Sequence, residues 1–294
     1  MKKPADHFQR IGLVGNAEKS ACARIVRAAA RLILRTGRTI VCDEAIARMA
    51  KLKCPTSPDA ATLARQVDLV LVFGGDGTML HAARQIAGSR TPMLGVNLGN
   101  LGFLTAIPSD KLAEALKQVW AGEFNFESRA LIEAVGVFRE KKLFATALND
   151  IVISRGAISR LIALDVSVNG ELVTRYRCDG LIVSSPTGST AYSLAAGGAI
   201  VLPTADVFAL TPICPHALSN RSIILPLSAT ISVKAINTFP AAFLNADGQI
   251  VGELEAGDEI IIRRSRHAVR LMRLANSSFL EAMRRKLHWR GTYL

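Results

Sequence analysis

The tightest constraint on the fold is a short apolar run that stops at glycine. Residues 67–81 read VDLVLVFGGDGTMLH. Residues 67–73 are apolar and rich in β-branched side chains, the pattern of a strand covered on both faces in a parallel sheet. Residues 78–84 read as the first turns of a helix. Between them stands Gly74-Gly75-Asp76-Gly77. Glycines there let the backbone turn tightly and approach a ligand without a Cβ in the way. The helix N-terminus that follows offers free N–H groups to an anion. Two readings of the turn stay open: an ordinary strand–helix corner with Asp76 as N-cap, or a phosphate cradle with a carboxylate beside it.

The alternation extends through the first 125 residues. RIGLVG (10–15) and RTIVC (38–42) read as strands. Between them, residues 19–36 place Cys22, Ile25, Val26, Ala29, Leu32 and Ile33 on one helical face and Arg24, Arg27, Arg31 and Arg35 on the other. A helix interrupted at Pro55 and Pro58 is expected over 43–66. Strand 67–73, helix 78–88, strand 92–97, a glycine-rich turn at 98–104 and helix 109–121 follow. Such alternation argues an α/β domain with a parallel sheet over residues 1–126. From residue 127 the pattern becomes short alternating runs separated by turn residues, with an Asn169-Gly170 hairpin signal. Residues 127–268 are therefore expected to form a β-rich domain, interrupted by one short helix near 190–197. Residues 269–294 form a tail with a helix at 278–288 that folds back onto the first domain or stands apart.

Charge narrows the partners. The net charge is +12. Residues 1–126 carry 17 basic and 10 acidic side chains, residues 127–262 carry 10 and 13, and residues 263–294 carry 9 and 1. A basic excess at both ends fits nucleic acid, an anionic surface, small phosphorylated ligands or a plain solvated face. No zinc-finger or RNP-type signature is present, so no specific nucleic acid is expected. Lys2 and Lys3 are followed by no apolar leader, and no apolar run is long enough to span a bilayer. The five scattered cysteines form no C-x-x-C pair, which favours reduced thiols and a cytoplasmic location.

Further segments carry chemistry. CDGLIVSSPTGSTAYSLAAGG (178–198) leaves a strand at Ser184-Ser185 and enters a run dense in hydroxyls, able to hydrogen-bond a base and its ribose, with Tyr192 offering a ring face and a phenol. LNDIV (148–152) sets an amide beside a carboxylate, and TPICPHALSNRSIILP (211–226) is a proline-pinned loop around His216. In isolation each reads equally as a turn or a packed side chain.

Jointly, and in this order, these segments resemble the NAD kinase family over about residues 70–250. Lipid kinases and phosphofructokinases share only the glycine–aspartate turn. The resemblance implies an N-terminal α/β domain, a β-rich C-terminal domain and a nucleotide site between them. It further implies phosphorylation of the 2′-hydroxyl of the adenosine ribose of NAD, magnesium or another divalent metal, ATP or polyphosphate as donor, and a homodimer or homotetramer with shared active sites. By position in the motifs, Asp76 corresponds to the family's proton acceptor, and Gly77 to the backbone that meets the ligand. Asn149 and Asp150 correspond to the pair holding adenine and ribose, and Arg177 and Asp179 to residues contacting the dinucleotide, with Asp179 reaching a neighbouring subunit's site. Thr187, Thr190, Ala191, Tyr192, Ser193, Leu194 and Ala195 line the adenosine. His81, Arg160 and Gln249 occupy further ligand positions. Asp150 departs from the family's more usual Glu, and Ser185 from the usual threonine before proline. Two alternatives remain at this point: another hydroxyl kinase with the same turn, such as a lipid kinase, and a non-enzymatic dinucleotide sensor.

Overall fold

The computed structural model describes residues 8–19, 21–99, 102–105, 107–138, 141–156, 160–217, 219–238, 241–275 and 277–289. Lys2, Lys3 and part of the glycine-rich turn expected at 98–104 (Asn100 and Leu101) lie outside them, as do the last residues of the basic tail. The chain forms two compact units. One takes the residues up to Ser128 together with those from Val269 onward, and the other is Arg129–Ala268.

In the first unit strands and helices alternate: β1 (Arg10–Gly15), α1 (Cys22–Leu34), β2 (Thr39–Asp43), α2 (Glu44–Ala50), β3 (Thr56–Ser57), α3 (Ala60–Ala64), β4 (Leu69–Gly74), α4 (Asp76–Ile86), β5 (Met93–Asn97), β6 (Ile107–Pro108) and α5 (Leu112–Ala121). The strands run parallel in the order β5-β4-β1-β2-β3, with β6 on the far side of β5. Strand β4 is buried along its whole length, as its unbroken apolar pattern requires. The chain runs outward from β1 to β3, then returns to β4 on β1's other side. The order therefore reverses between β1 and β4, whose carboxyl ends lie side by side with Gly15 opposite Phe73.

The arginines of α1 lie outside the core, which takes Cys22, Ile25, Val26, Ala29, Ala30 and Ile33; Leu32 is only half-buried. The interrupted helix expected over 43–66 is two short helices, with β3 occupying the interruption. Pro55 and Pro58 hold the residues before them extended, and β3 occupies that stretch. The helices restart on side-chain caps, Asp43 accepting from the Ile46 N–H (2.7 Å) and Asp59 from the Thr62 N–H (2.6 Å). All five cysteines are free thiols. Cys42 on β2 and Cys54, just before β3, are distant from any C-x-x-C spacing, yet their sulfurs lie 3.3 Å apart.

The second unit is built from β7 (Phe124–Phe138, which starts in the first unit), β8 (Lys141–Ala147), β9 (Asp150–Ser154), β10 (Ile162–Val168), β11 (Glu171–Cys178), β12 (Gly180–Ser184), β13 (Val207–Ile213), β14 (Ile223–Pro226), β15 (Ile231–Asn237), β16 (Ala242–Ala246), β17 (Gln249–Leu254) and β18 (Glu259–Leu274, which ends in the first unit). The short helix α6 (Tyr192–Ala195) lies between β12 and β13. One antiparallel sheet has the order β14-β13-β12-β9-β16-β17; the other strands pair as β11-β10-β15-β18, with β7 joined to β18 and β8. Both groups contribute to a single core that includes Ile132, Ile151, Leu164, Leu181, Ile231 and Leu244. The Asn169-Gly170 signal is a hairpin turn between β10 and β11, with both residues at positive φ (53° and 86°). A second turn of this kind, at Asp247 (φ 48°) and Gly248, joins β16 to β17. After β18 the chain forms α7 (Phe279–Lys286) within the first unit. No helix among the described residues is long and apolar enough to cross a membrane.

Candidate active site

In an open α/β sheet, ligands bind outside the carboxyl ends of the strands where the strand order reverses. Here that place is the end of β1 and β4, so the glycine–aspartate turn stands at the switch point. Helix α4 begins at Asp76, two residues before the sequence pattern suggests, and its N-cap Gly75 makes no side-chain cap. The N-cap reading of Asp76 is therefore excluded. Its carboxylate turns instead to the segment after β5: Oδ2 accepts the Phe103 N–H (2.8 Å), and Oδ1 accepts those of Leu104 (3.0 Å) and Thr105 (3.3 Å). A Cβ on Gly102 would collide with this carboxylate. The segment is tied back to β5 because the Thr105 hydroxyl accepts from the Asn97 amide (2.7 Å) and the Gly102 N–H (3.1 Å).

Gly75 and Gly77 do not lie at positive φ. What they supply is the missing side chain: the space beside Gly77 is open, and the nearest atom to a Cβ on Gly75 would be Lys19 Nζ, at 3.8 Å. Lys19 comes from the loop after β1 and was not singled out by the sequence pattern. His81 lies exposed one turn along α4, its Nε2 3.0 Å from the Gln85 amide.

The second unit sorts the expected residues into two groups at opposite ends of β9. At the Asp150 end, the Asp247 carboxylate accepts the N–H groups of Leu148 (3.0 Å), Asn149 (2.7 Å) and Asp150 (3.3 Å), while the Asp247 N–H donates to the Asp150 carbonyl (3.0 Å). The Asn149 carbonyl accepts the Ser185 N–H (2.8 Å), and the Ser185 hydroxyl donates to the Leu148 carbonyl (2.5 Å). Gly188 presses so closely on the Asn149 backbone that no side chain fits there. The hydroxyl-rich run is thus pinned against Asn149-Asp150. Within it, Thr187 receives a hydrogen bond from buried Arg129 (Nη1 to Oγ1, 3.3 Å), and Thr190 donates to the Thr187 carbonyl (3.5 Å). Ser193 is fully buried, and its hydroxyl hydrogen-bonds that of Thr211 (3.0 Å). Ala191 and Leu194 are half-buried, whereas Tyr192, Ala195 and Gln249 are exposed. Burial and, after it, the neighbouring Asp247 carboxylate push the Asp150 carboxyl up to about 7.

At the other end of β9, roughly 13 Å away at ~3.3 Å per residue, Asp179 pairs with Arg155 (Nε to Oδ1, 2.6 Å) and its carbonyl accepts the Arg155 N–H (2.9 Å). Exposed Arg177 offers its carbonyl to the His216 N–H (2.9 Å), and Arg160 is exposed nearby in sequence. Arg155, Arg129 and Asp247 escaped sequence reasoning. Only Asp247 left a signal, as the Asp of an Asp-Gly hairpin dipeptide.

Among the described residues, no group of three or more His, Cys, Asp or Glu side chains is arranged to hold a metal ion. The oxygens of Asp76 are already engaged by backbone N–H groups. No metal ligand is assigned.

A doubly wound sheet with an acid-bearing glycine turn at its switch point, followed by a β unit that pins a hydroxyl-rich loop to an Asn–Asp pair, defines a phosphotransferase acting on a hydroxyl of a nucleotide. Residues 11–124 match the ATP-NAD kinase N-terminal domain and residues 148–274 the ATP-NAD kinase C-terminal domain. The chain belongs to the NAD kinase family. It is 39% identical over 283 residues to the NAD kinase of Cupriavidus pinatubonensis, spanning 96% of this chain and 92% of that one. To the NAD kinase of Desulforamulus reducens it is 41% identical over 280 residues, spanning 94% and 96%. The crystal structure of yeast NADH kinase complexed with NADH superposes with a TM-score of 0.89 at 26% identity, covering 98% of this chain and 89% of that one.

Proposed function

We propose that the protein transfers the γ-phosphoryl group of ATP to the 2′-hydroxyl of the adenosine ribose of NAD, giving NADP. The observation that carries this reading is the position of Asp76, on an open glycine turn at the switch point of a chain whose two units both match the family. A lipid-kinase reading rests on the turn alone, and a sensor would use the Asp76 carboxylate only as an anchor for residues 103–105.

Phosphoryl transfer passes through a loose transition state, so positioning and charge neutralisation supply most of the rate. The open backbone at Gly75 and Gly77, the N-terminus of α4 and the Lys19 ammonium receive the donor's phosphates. The divalent cation arrives as part of the metal–nucleotide donor. Asp76, fixed by three N–H groups, orients the 2′-hydroxyl and accepts its proton as the bond to phosphorus forms. Asn149 and Asp150 hold adenine and ribose, with Asp247 fixing their backbone from behind. Thr187, Thr190, Ala191, Tyr192, Leu194 and Ala195 form the adenosine wall. The buried Ser193 hydroxyl supports that wall rather than touching the ligand. His81 and Gln249 add contacts from their exposed positions.

Asp179, at the far end of β9, and Arg177 two residues before it serve the dinucleotide of a second subunit, and Arg160 adds a further ligand contact. In this reading the protein works as a homodimer or homotetramer with shared sites. Its cell compartment is the cytoplasm, where free thiols persist.

The test is NADP formation from NAD, with ATP or polyphosphate and with magnesium present, and with NADH offered alongside NAD. ATP-dependent NADP formation is the expected result; binding of NAD without turnover would return the reading to a sensor.

A further inference from the structure

We propose that Arg273 is a positioning residue for Asp76, acting through a single peptide group; the inference rests on the reading of Asp76 as the catalytic carboxylate. Arg273 Nη2 donates to the Phe103 carbonyl at 2.8 Å. The N–H of that same peptide, belonging to Leu104, donates to Asp76 Oδ1 at 3.0 Å. A guanidinium thus faces one end of an amide dipole and the catalytic carboxylate faces the other. A cation on the carbonyl strengthens the N–H as a donor and fixes the plane of the peptide.

The arginine is itself held. Its side chain is only 13% exposed, and Nε lies 3.4 Å from Glu127 Oε2. Helix α7 closes on the same residue from the side-chain direction. The Phe103 ring lies 5.9 Å from that of Phe279, and Lys286 Nζ stands 4.6 Å from the Phe103 ring centre. Phe103 and Arg273 line one cavity of about 330 Å³, bounded also by Lys111, Gln118 and Arg285. The residues from Val269 onward therefore hold the segment that orients Asp76.

The test is a double-mutant cycle of Arg273→Gln with Asp76→Asn, read as kcat and KM for NAD, with Arg273→Lys as the conservative control. Arg273→Gln removes the charge and is expected to lower kcat about tenfold, with KM for NAD within about twofold. Arg273→Lys keeps a cationic donor and should stay within about threefold of the parent kcat. In the Asp76→Asn background, Arg273→Gln should add less than about twofold, because residues acting as one unit are not additive. An equal fall in both backgrounds would mean Arg273 acts independently of Asp76 and overturns the proposal. So would an unchanged kcat in Arg273→Gln while Asp76→Asn is impaired. Should Arg273→Gln fail to fold, Glu127→Gln takes its place in the cycle, with about a threefold loss expected that vanishes on Asp76→Asn; additivity there overturns the proposal as well. Near-normal turnover of Asp76→Asn alone would sink the reading of Asp76, and this inference with it.

Discussion

Replacing Asp76 by Asn is less conservative here than its shape suggests. Both carboxylate oxygens accept backbone N–H groups, one from Phe103 and two from Leu104 and Thr105. An asparagine keeps two of these bonds only by leaving its oxygen at the Oδ1 position. Its amide then points two hydrogens at the Phe103 N–H, which loses its acceptor. Leaving that half-buried donor unpaired costs about 1–3 kcal/mol, and the two surviving bonds drop from charge-assisted to neutral strength. Loss of a positioned base costs a further factor of roughly 10²–10⁴ in rate. The expected outcome is a fall in kcat of about 10²-fold or more, a much smaller change in KM for NAD, and a lower melting temperature. The assay is steady-state NADP formation well below the melting transition, with the folded fraction checked by circular dichroism under the same conditions. Turnover within a few-fold of the parent, in a protein whose melting temperature has fallen, would refute the reasoning. Asp76 would then be an anchor for residues 102–105 and nothing more.

Asn149→Ala should raise KM for NAD by about tenfold or more, because polar groups of a bound adenine lose their partner; an unchanged KM places the adenine elsewhere. Asp150→Asn should alter the pH dependence of stability. The folded carboxyl titrates near 7, well above its unfolded value of ~3.9, so parent stability is fully present below pH ~4 and is lost as pH rises towards 7. The Asn variant should therefore melt above the parent at pH 8 and level with it near pH 4, and parallel melting curves across that range would contradict the assignment. Asp76→Asn and Asp179→Ala should each be impaired alone, yet co-refolded in equal amounts they should recover about a quarter of all sites if a two-fold dimer is the working unit; activity at the mean of the two places both residues in the same chain's site. Asp247→Asn should lower the melting temperature and raise KM for NAD while sparing kcat, measured on the same preparation.

The fold was readable where the physics is local. An apolar β-branched run must be a covered strand, as β4 is, and Asn169-Gly170 can hardly be anything but a tight hairpin turn. In 43–66 the two prolines marked the break between helices, but nothing local announced β3, which exists by pairing with β2. At the candidate site the residue types were legible and their partners were not. Asp76 bonds to backbone 27–29 residues away, and Asp247 to backbone 97–99 residues away. A backbone N–H carries no side-chain signature, so no pattern of residue types announces such a bond. Arg129 illustrates the same blindness from the other side: an arginine reads as surface, and here it is 2% exposed and bonded to Thr187.

The two aspartates make one structural device, used twice. In each unit a carboxylate accepts three consecutive backbone N–H groups: residues 103–105 for Asp76, and residues 148–150 for Asp247. A carboxylate so placed neutralises several donors at once and fixes a loop that has no regular hydrogen bonding of its own. Anchoring is therefore common to both, and it cannot be what sets the proposed role of Asp76 apart. The difference lies in what surrounds the free side of each group. Asp247 sits on a hairpin turn beside the Asp150 carboxyl, whose proton affinity its charge raises. Asp76 sits in the first turn of α4, between two glycines with no side chains, at the switch point and near the Lys19 ammonium. A carboxylate in the first setting can support a ligand-binding loop. In the second, the proposed function has the open turn and the positive end of the helix admit phosphate within reach of a carboxylate already held in place. Orientation by the loop and access through the turn are both needed for that role, and among the two aspartates only Asp76 has both.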